Sequence, residues 1–421
     1  MGRQLFWRKI EGRYLSKPLR IEIFEVLAAL VLEVNAGIIT GLFPGVHVNM
    51  VSVLLISFSP LLLTITSPIV LAVFIISLSI THTFLDTIPS IYLGAPDEGQ
   101  ALNALPGHRL LLQGLGHNAV VYTIIGSFGS LLLSVILFPL FIISMNSLSA
   151  IVSNLIGYLL IAIMAYMIFR EKGKRIKSLV VFLLAGALGL LIFSIPNLHQ
   201  PLFPLLSGLF GFSILVESLR QKSSIPKQKE SPLTISKKNM IKSISAASGV
   251  GFLAAFLPGF GSSQAAIIST NVVGDIGDEG FLSLVGGINT ANTLISIAAA
   301  YVLQKARNGA IVTVLQLLGG IGFTEMMLFI GVSLVAGGLA TLLTLSLSKV
   351  FSKYIVKVNY TAIIIGILVF ITSLVFFFDG FIGLIILFTA TAIGLITSFF
   401  KVGKNHLMGC LILPVILFFV L

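Results

Sequence analysis

Gly37-Ile-Ile-Thr-Gly41-Leu-Phe-Pro44-Gly45-Val-His47-Val-Asn49 is an apolar stretch broken in its middle by Pro-Gly. Proline removes a backbone donor and clashes with the preceding turn, and the following glycine is free to take positive φ, so a helix should break there. In hydrocarbon the freed backbone groups are tolerated only where protein or a water-filled cavity satisfies them. The break recurs in Gly251-Phe-Leu-Ala-Ala-Phe-Leu-Pro258-Gly259-Phe-Gly261-Ser262-Ser263-Gln264, with Gly37, Pro44 and Gly45 mapping onto Gly251, Pro258 and Gly259 at a constant offset of 214 residues. Downstream, Leu112-Gln113 and Ala119 match Leu303-Gln304 and Ala310 at an offset of 191, so the first copy carries 23 extra residues, much of them within the Pro/Gly-rich stretch 86–118. Paired Pro/Gly-interrupted segments in two halves of a chain point to a transporter binding site. The plainer reading is two Pro-kinked structural helices; the polar residues after each break (His47 and Asn49; Ser262, Ser263 and Gln264) favour the first. Entry of both copies from a basic loop points to parallel repeats, whereas re-entrant segments would permit inverted ones, and both stay open.

Outward from this stretch, the 421 residues are 57% hydrophobic and 10% charged, against about 25% charged in a soluble domain. Mean hydropathy is +1.08. At ~20 residues per crossing this length holds roughly ten to twelve membrane helices, so the expected fold is all-α and polytopic, with two internal repeats containing broken or re-entrant segments. The net charge of +11 is a matter of location: 23 of the 26 Lys and Arg residues fall in five clusters, before residue 21, at 170–177, at 220–242, at 349–357 and at 401–404. Basic loops between apolar runs mark the cytoplasmic side and match anionic lipid headgroups, so no nucleic-acid partner is implied. The layout is a basic lead-in over 1–20, a first membrane half over 21–219, a flexible cytoplasmic linker over 220–242 with Pro226 and Pro232, and a second membrane half over 243–421. Runs 119–143 and 145–168, 179–195 and 201–218, and 359–378 and 381–400 form three hairpins. The N-terminus is expected inside, with no cleavable signal, and the C-terminus outside, in a cell membrane. Cys410 alone excludes an internal disulfide framework.

Intramembrane charge is expensive, about 2.5–3.5 kcal/mol on insertion scales, and marks function by default. His82 and Asp86, four apart, share a face if helical, which suits a proton relay or cation coordination; a buttressing His–Asp hydrogen bond is the structural alternative. Pro106-Gly107-His108-Arg109 opens a helix whose amides and Arg fork suit an anion, unless Arg109 merely pairs with Asp97 or Glu98 in an aqueous loop. In the second copy Asn289 and Asn292, with Thr290, offer neutral oxygens and amides to Na⁺ or an anion. Asp275, Asp278 and Glu279 are assigned to an aqueous loop, and Glu25, Glu33, Glu217 and Glu325 to helix ends. No zinc His-Glu-x-x-His, Gly-x-Ser-x-Gly, Walker A or Cys-x-x-Cys motif is present, which leaves no enzyme motif, no cofactor and no expected metal.

Gly37-x3-Gly41-x2-Pro44-Gly45, Ile88-Pro89 through Pro96-Asp97, Pro106-Gly107 with Gln113-Gly114, and Pro258-Gly259-x-Gly261 together resemble the large membrane subunit, or permease, of the tripartite tricarboxylate transporters, in its archaeal branch. The resemblance covers about residues 25–400. It implies two repeats, ion-gradient uptake of a carboxylate anion, an extracytoplasmic binding protein and a small membrane subunit as partners, and a substrate cradle at Pro44, Gly45, Pro258, Gly259, Gly261 and Ser262. His47 and Asn49 stand where the family usually has small residues, which opens the pocket to another anion. The expected activity is therefore ion-coupled secondary transport of a small organic anion, with His47, Asn49, Ser263, His108, Arg109, Asn289 and Asn292 completing the substrate site, and His82 and Asp86 coupling H⁺ or Na⁺. A translocase for polyprenyl phosphate or another lipid anion is the alternative, and an intramembrane enzyme a third reading.

Overall fold

The computed structural model describes residues 23–43, 48–93, 104–196, 198, 201–220, 225–256, 262, 265–266, 269, 273–304, 308–357 and 360–420. Among these the regular structure is helical, without strands. The helices are α1 (Ile23–Leu42), α2 (Val48–Leu62), α3 (Pro68–Leu85), α4 (Thr87–Tyr92), α5 (Ala104–Leu112), α6 (Gly116–Ile136), α7 (Phe138–Arg170), α8 (Arg175–Ser194), α9 (Leu202–Leu206), α10 (Ser213–Arg220), α11 (Lys237–Phe256), α12 (Gly277–Leu303), α13 (Gly309–Leu318), α14 (Phe323–Tyr354), α15 (Tyr360–Phe400) and α16 (Gly409–Val420). Seven described helices are long and apolar enough to cross a membrane, and shorter apolar helices accompany them. The chain is a multi-pass membrane protein.

Sequence punctuation explains the helix ends. Ser67-Pro68 starts α3 with proline in the first turn, where its missing N–H is no loss. The expected turn near residue 144 lies instead at Leu137, because Pro139 prefers the first turn of the next helix, α7. Within α15, Gly380 takes φ +59° and ψ −147°, a positive-φ extended conformation that is essentially open to glycine alone. The expected break between 378 and 381 therefore falls where glycine permits it.

Two helices, one from each half, form the middle of the bundle. Almost all of α3 is buried, as is most of α12. Helix α1 packs along α3 and α11 along α12, while α6 and α14 close over both. The buried positions of α1, namely Val26, Ala29, Leu30, Glu33, Gly37, Thr40 and Gly41, recur every three or four residues, and Phe24, Val31, Leu32 and Ile39 point outward, as expected of a helix between protein and lipid. An outer layer crosses the sequence halves: α8 packs on α16, and the π-helical stretch Ser207–Phe212 together with α10 packs on α15. Phe376, Phe377, Phe381, Ile385 and Phe388 on α15 stay exposed, a face suited to lipid.

The described part of the linker, 225–236, is tied to the helix ends by hydrogen bonds. It lies extended across the ends of α5, α6 and α12 and is bonded along its length. The Gly116 amide donates to Gln228 Oε1 at 2.8 Å, Gln228 Nε2 donates to the Leu111 carbonyl at 3.1 Å, and the Lys229 amide donates to the Gly114 carbonyl at 2.7 Å. Asn118 Nδ2 donates to the Ser231 carbonyl at 2.8 Å, and Thr234 Oγ1 donates to Glu279 Oε1 at 2.9 Å. Pro226 and Pro232 disfavour helix and leave an extended chain that borrows partners from the helix ends. Removing the Gln228 amide should loosen this strap: two lost bonds to the helix ends at about 1 kcal/mol each predict roughly thirtyfold faster tryptic cleavage at Lys227 and Lys229 in Gln228→Ala. Unchanged cleavage would show that the remaining contacts hold it.

Candidate functional site

Helix α3 carries an unusual density of buried polar side chains, and they face two ways. Toward α1, Thr81 Oγ1 donates to Glu33 Oε1 at 3.1 Å. Toward α12, Thr83 Oγ1 lies 3.0 Å from Thr290 Oγ1, and Asn289 Nδ2 donates to Asp86 Oδ2 at 3.0 Å. Thr83 spends its single proton on the Ile80 carbonyl at 2.8 Å, so the Thr290 hydroxyl is the donor in the Thr83–Thr290 contact. His82 and Asp86 are 3% and 2% exposed. They are linked through the backbone, the Asp86 amide donating to the His82 carbonyl at 3.0 Å, and Asp86 sits at the junction of α3 and α4 in right-handed helical geometry.

Close approach makes these contacts possible. A Cβ on Gly37 would stand 2.6 Å from Thr81 Cγ2, and one on Gly41 would overlap Leu85. In the second half a Cβ on Gly251 would stand 2.7 Å from Ala291 Cβ and 3.2 Å from the Asn292 amide. Gly37 and Gly251, matched in sequence, thus each seat a helix against the polar turn of a central helix. Leu112 and Leu303, also matched, each end a helix.

The sequence-derived candidates separate into groups. Asp86 and Asn289, named from opposite halves, are in direct contact. Asn292 lies one turn further along α12, where its carbonyl accepts from Ser296 Oγ at 2.7 Å. Ser262 is helical and buried, and Asn49 falls in α2. Pro44, Gly45, His47, Pro258, Gly259, Gly261 and Ser263, like Asp97 and Glu98, lie outside the described residues.

His108 and Arg109 on α5 belong to another level. His108 Nδ1 is 3.5 Å from the Ile91 carbonyl, and burial pushes its imidazole below the usual histidine range, the Ile91 bond acting the other way. Arg109 Nη2 pairs with Asp278 Oδ1 at 3.5 Å, with side chains 61% and 37% exposed. Asp278 precedes Asn289 by eleven residues on α12, or about 16 Å at 1.5 Å per residue. Asp278 and Glu279, expected in a loop, form the first turn of α12, where acidic groups complement the helix dipole. On the same strap-bearing end, His117, Lys227, Lys229, Glu230, Lys349 and Lys353 line a cavity of about 610 Å³.

Glu33 also departs from the sequence expectation. It was expected at a helix end but is fully buried in the middle of α1. Its signal is the row Glu33-Gly37-Gly41, spaced by four, which puts a carboxyl on the same face as the two glycines that admit α3. Among the described residues no three His, Cys, Asp or Glu side chains gather into a potential metal site.

A bundle with lipid-facing flanks, two central helices and buried polar contacts between its halves defines a polytopic membrane protein with a polar interior, as transport requires. The chain belongs to the tripartite tricarboxylate transporter TctA family, whose model matches residues 27–409. It is also similar to an uncharacterized protein of Methanocaldococcus jannaschii, at 29% identity over 405 residues, covering 93% of this chain and 98% of that one. No solved structure matches it. The family is the large subunit of a tripartite transport system with a binding protein and a small subunit.

Proposed function

We propose that this chain is the permease of an ion-coupled secondary transporter for a small organic anion, a di- or tricarboxylate, working by alternating access between two Pro-Gly repeats. The observation that carries the reading is the Asp86–Asn289 contact, a buried carboxylate of one half held by an amide of the other at 3.0 Å in a chain of this family. Asp86 repels an anion, so its role with His82 is ion coupling. The anion is assigned to the residues of the two Pro-Gly breaks, Pro44, Gly45, His47 and Asn49 and Pro258, Gly259, Gly261, Ser262 and Ser263, together with Asn289 and Asn292. The matched seats of Gly37 and Gly251 support two copies of one unit. His108 and Arg109 act at the strap-bearing end, which by its basic clusters faces the cytoplasm, with the N-terminus inside and the C-terminus outside. A binding protein delivers substrate and a small membrane subunit completes the complex.

Uptake of labelled di- and tricarboxylates into proteoliposomes tests this. Wild-type uptake driven by a proton or sodium gradient, lost in Pro44→Ala and Gly259→Leu variants that remain monodisperse, is the expected result. Uptake indifferent to both gradients would refute the coupling.

A further inference from the structure

Glu33 is a fully buried carboxyl that the reading above leaves without a task. It sits at the midpoint of the span Phe24–Leu42, nine residues or about 14 Å from either end, and is 0% exposed. Oε1 accepts from Thr81 Oγ1 at 3.1 Å, and Oε2 is buried without a hydrogen-bond partner among the described residues. A carboxylate so placed at mid-membrane, with one neutral donor, is a poor resting state for charge; a neutral carboxylic acid is the form that this environment accepts. A metal cation needs several oxygen ligands, and Thr81 Oγ1 is the hydrogen-bonding oxygen that the described residues bring to this carboxyl.

We propose that Glu33 is a proton-carrying site of the transport cycle, acting alongside the Asp86–His82 pair, protonated while α1 and α3 are closed on it and deprotonated when they part. The inference rests on the transport reading and makes the coupling ion a proton. The route from site to substrate is short. Thr81, the partner of Glu33, precedes His82 on α3, and the same helix presents Asp86 to Asn289 on α12. The other titratable groups on elements packed against α1 are turned elsewhere or adjoin this route: Asp86 to Asn289, Tyr92 on α4 to Ser348 and Ser352 on α14, and His82 beside Thr81. Glu25 on α1 itself accepts from Thr66. Movement of α1 relative to α3 opens or closes the Glu33 site and shifts the α3 face that meets α12, so protonation and the state of the central polar contacts are tied through one rigid helix.

Two measurements on Glu33→Gln and Thr81→Val in lipid test the proposal. Gln keeps an oxygen for Thr81 and carries no proton. The infrared carboxylic-acid C=O band of the wild type should include a component that is absent in Glu33→Gln. In Thr81→Val, the loss of a donor to the carboxylate should move its titration to higher pH. In proteoliposomes, Glu33→Gln should retain exchange of labelled citrate or succinate across equal concentrations and lose at least tenfold of the accumulation driven by a pH gradient. Wild-type accumulation independent of pH, or equal pH-driven accumulation in Glu33→Gln, overturns the proton site while transport stands. Failure of the wild type to move either probe counts against the transport reading, and the infrared comparison then decides the site: a band unchanged in Glu33→Gln overturns it, and a band lost there upholds it.

Discussion

Asp86→Leu should abolish uptake, and Asp86→Asn should abolish it while leaving the fold nearly intact. Leucine leaves the Asn289 amide, which now donates to Asp86 Oδ2 at 3.0 Å in a part-buried contact, facing an apolar side chain. Stranding a fully buried polar group costs about 1–3 kcal/mol, so Asp86→Leu should lower the thermal midpoint in detergent by the lower part of that range. Asparagine preserves size and one acceptor oxygen but no charge, so it separates packing from ion coupling. At least a tenfold loss of gradient-driven uptake is expected in both, with the lowered midpoint confined to leucine. A cycle with Asn289→Ala should return a stability coupling within the 0.5–3 kcal/mol found for contacting pairs. Additive effects would mean that the two halves are not joined there.

Gly126→Leu should yield no folded protein, whereas Gly331→Leu should be tolerated. Gly126 lies where α6 meets α12, and a Cβ on it would overlap the carbonyl of Ser283, which is backbone and cannot turn aside. Gly286 and Gly287 on α12 present the matching small surface to Thr123, Ser127 and Ser130 on α6, the close approach typical of membrane helices. Even alanine at 126 requires the helices to separate, at several kcal/mol. Gly331 on α14 is exposed with nothing within 4 Å of an added Cβ, and alanine there should gain roughly 1 kcal/mol of helix propensity. Monodispersity after solubilisation, followed by thermal unfolding, reads both. Recovery of folded Gly126→Leu at wild-type yield would contradict the packing.

The membrane class and the break near Gly380 were legible because each follows from local chemistry: run length, and a residue that accepts positive φ. The candidate site was legible in pieces. Asp86 and Asn289 each stood out as polar residues in apolar runs. Their contact across 203 positions has no local signature. Arg109 illustrates the same limit. The sequence offered it an anion or, failing that, the nearby Asp97 or Glu98, but it reaches Asp278 on α12. The linker looked flexible because its composition is that of a solvated loop, yet backbone groups left over at helix ends hold it.

Hydrophobic length and the spacing of the apolar runs are enough to establish an all-helical membrane protein, because lipid imposes one rule on every span: apolar outside, backbone satisfied within. That rule is silent about which spans become neighbours. Packing makes α3 and α12 the central pair, draws Glu33 from an ordinary helix position into a sealed contact with Thr81, and unites Asp86 with Asn289. These outcomes depend on small residues admitting one backbone to another at distances under a side chain's width, and such fits exist only once the helices have met.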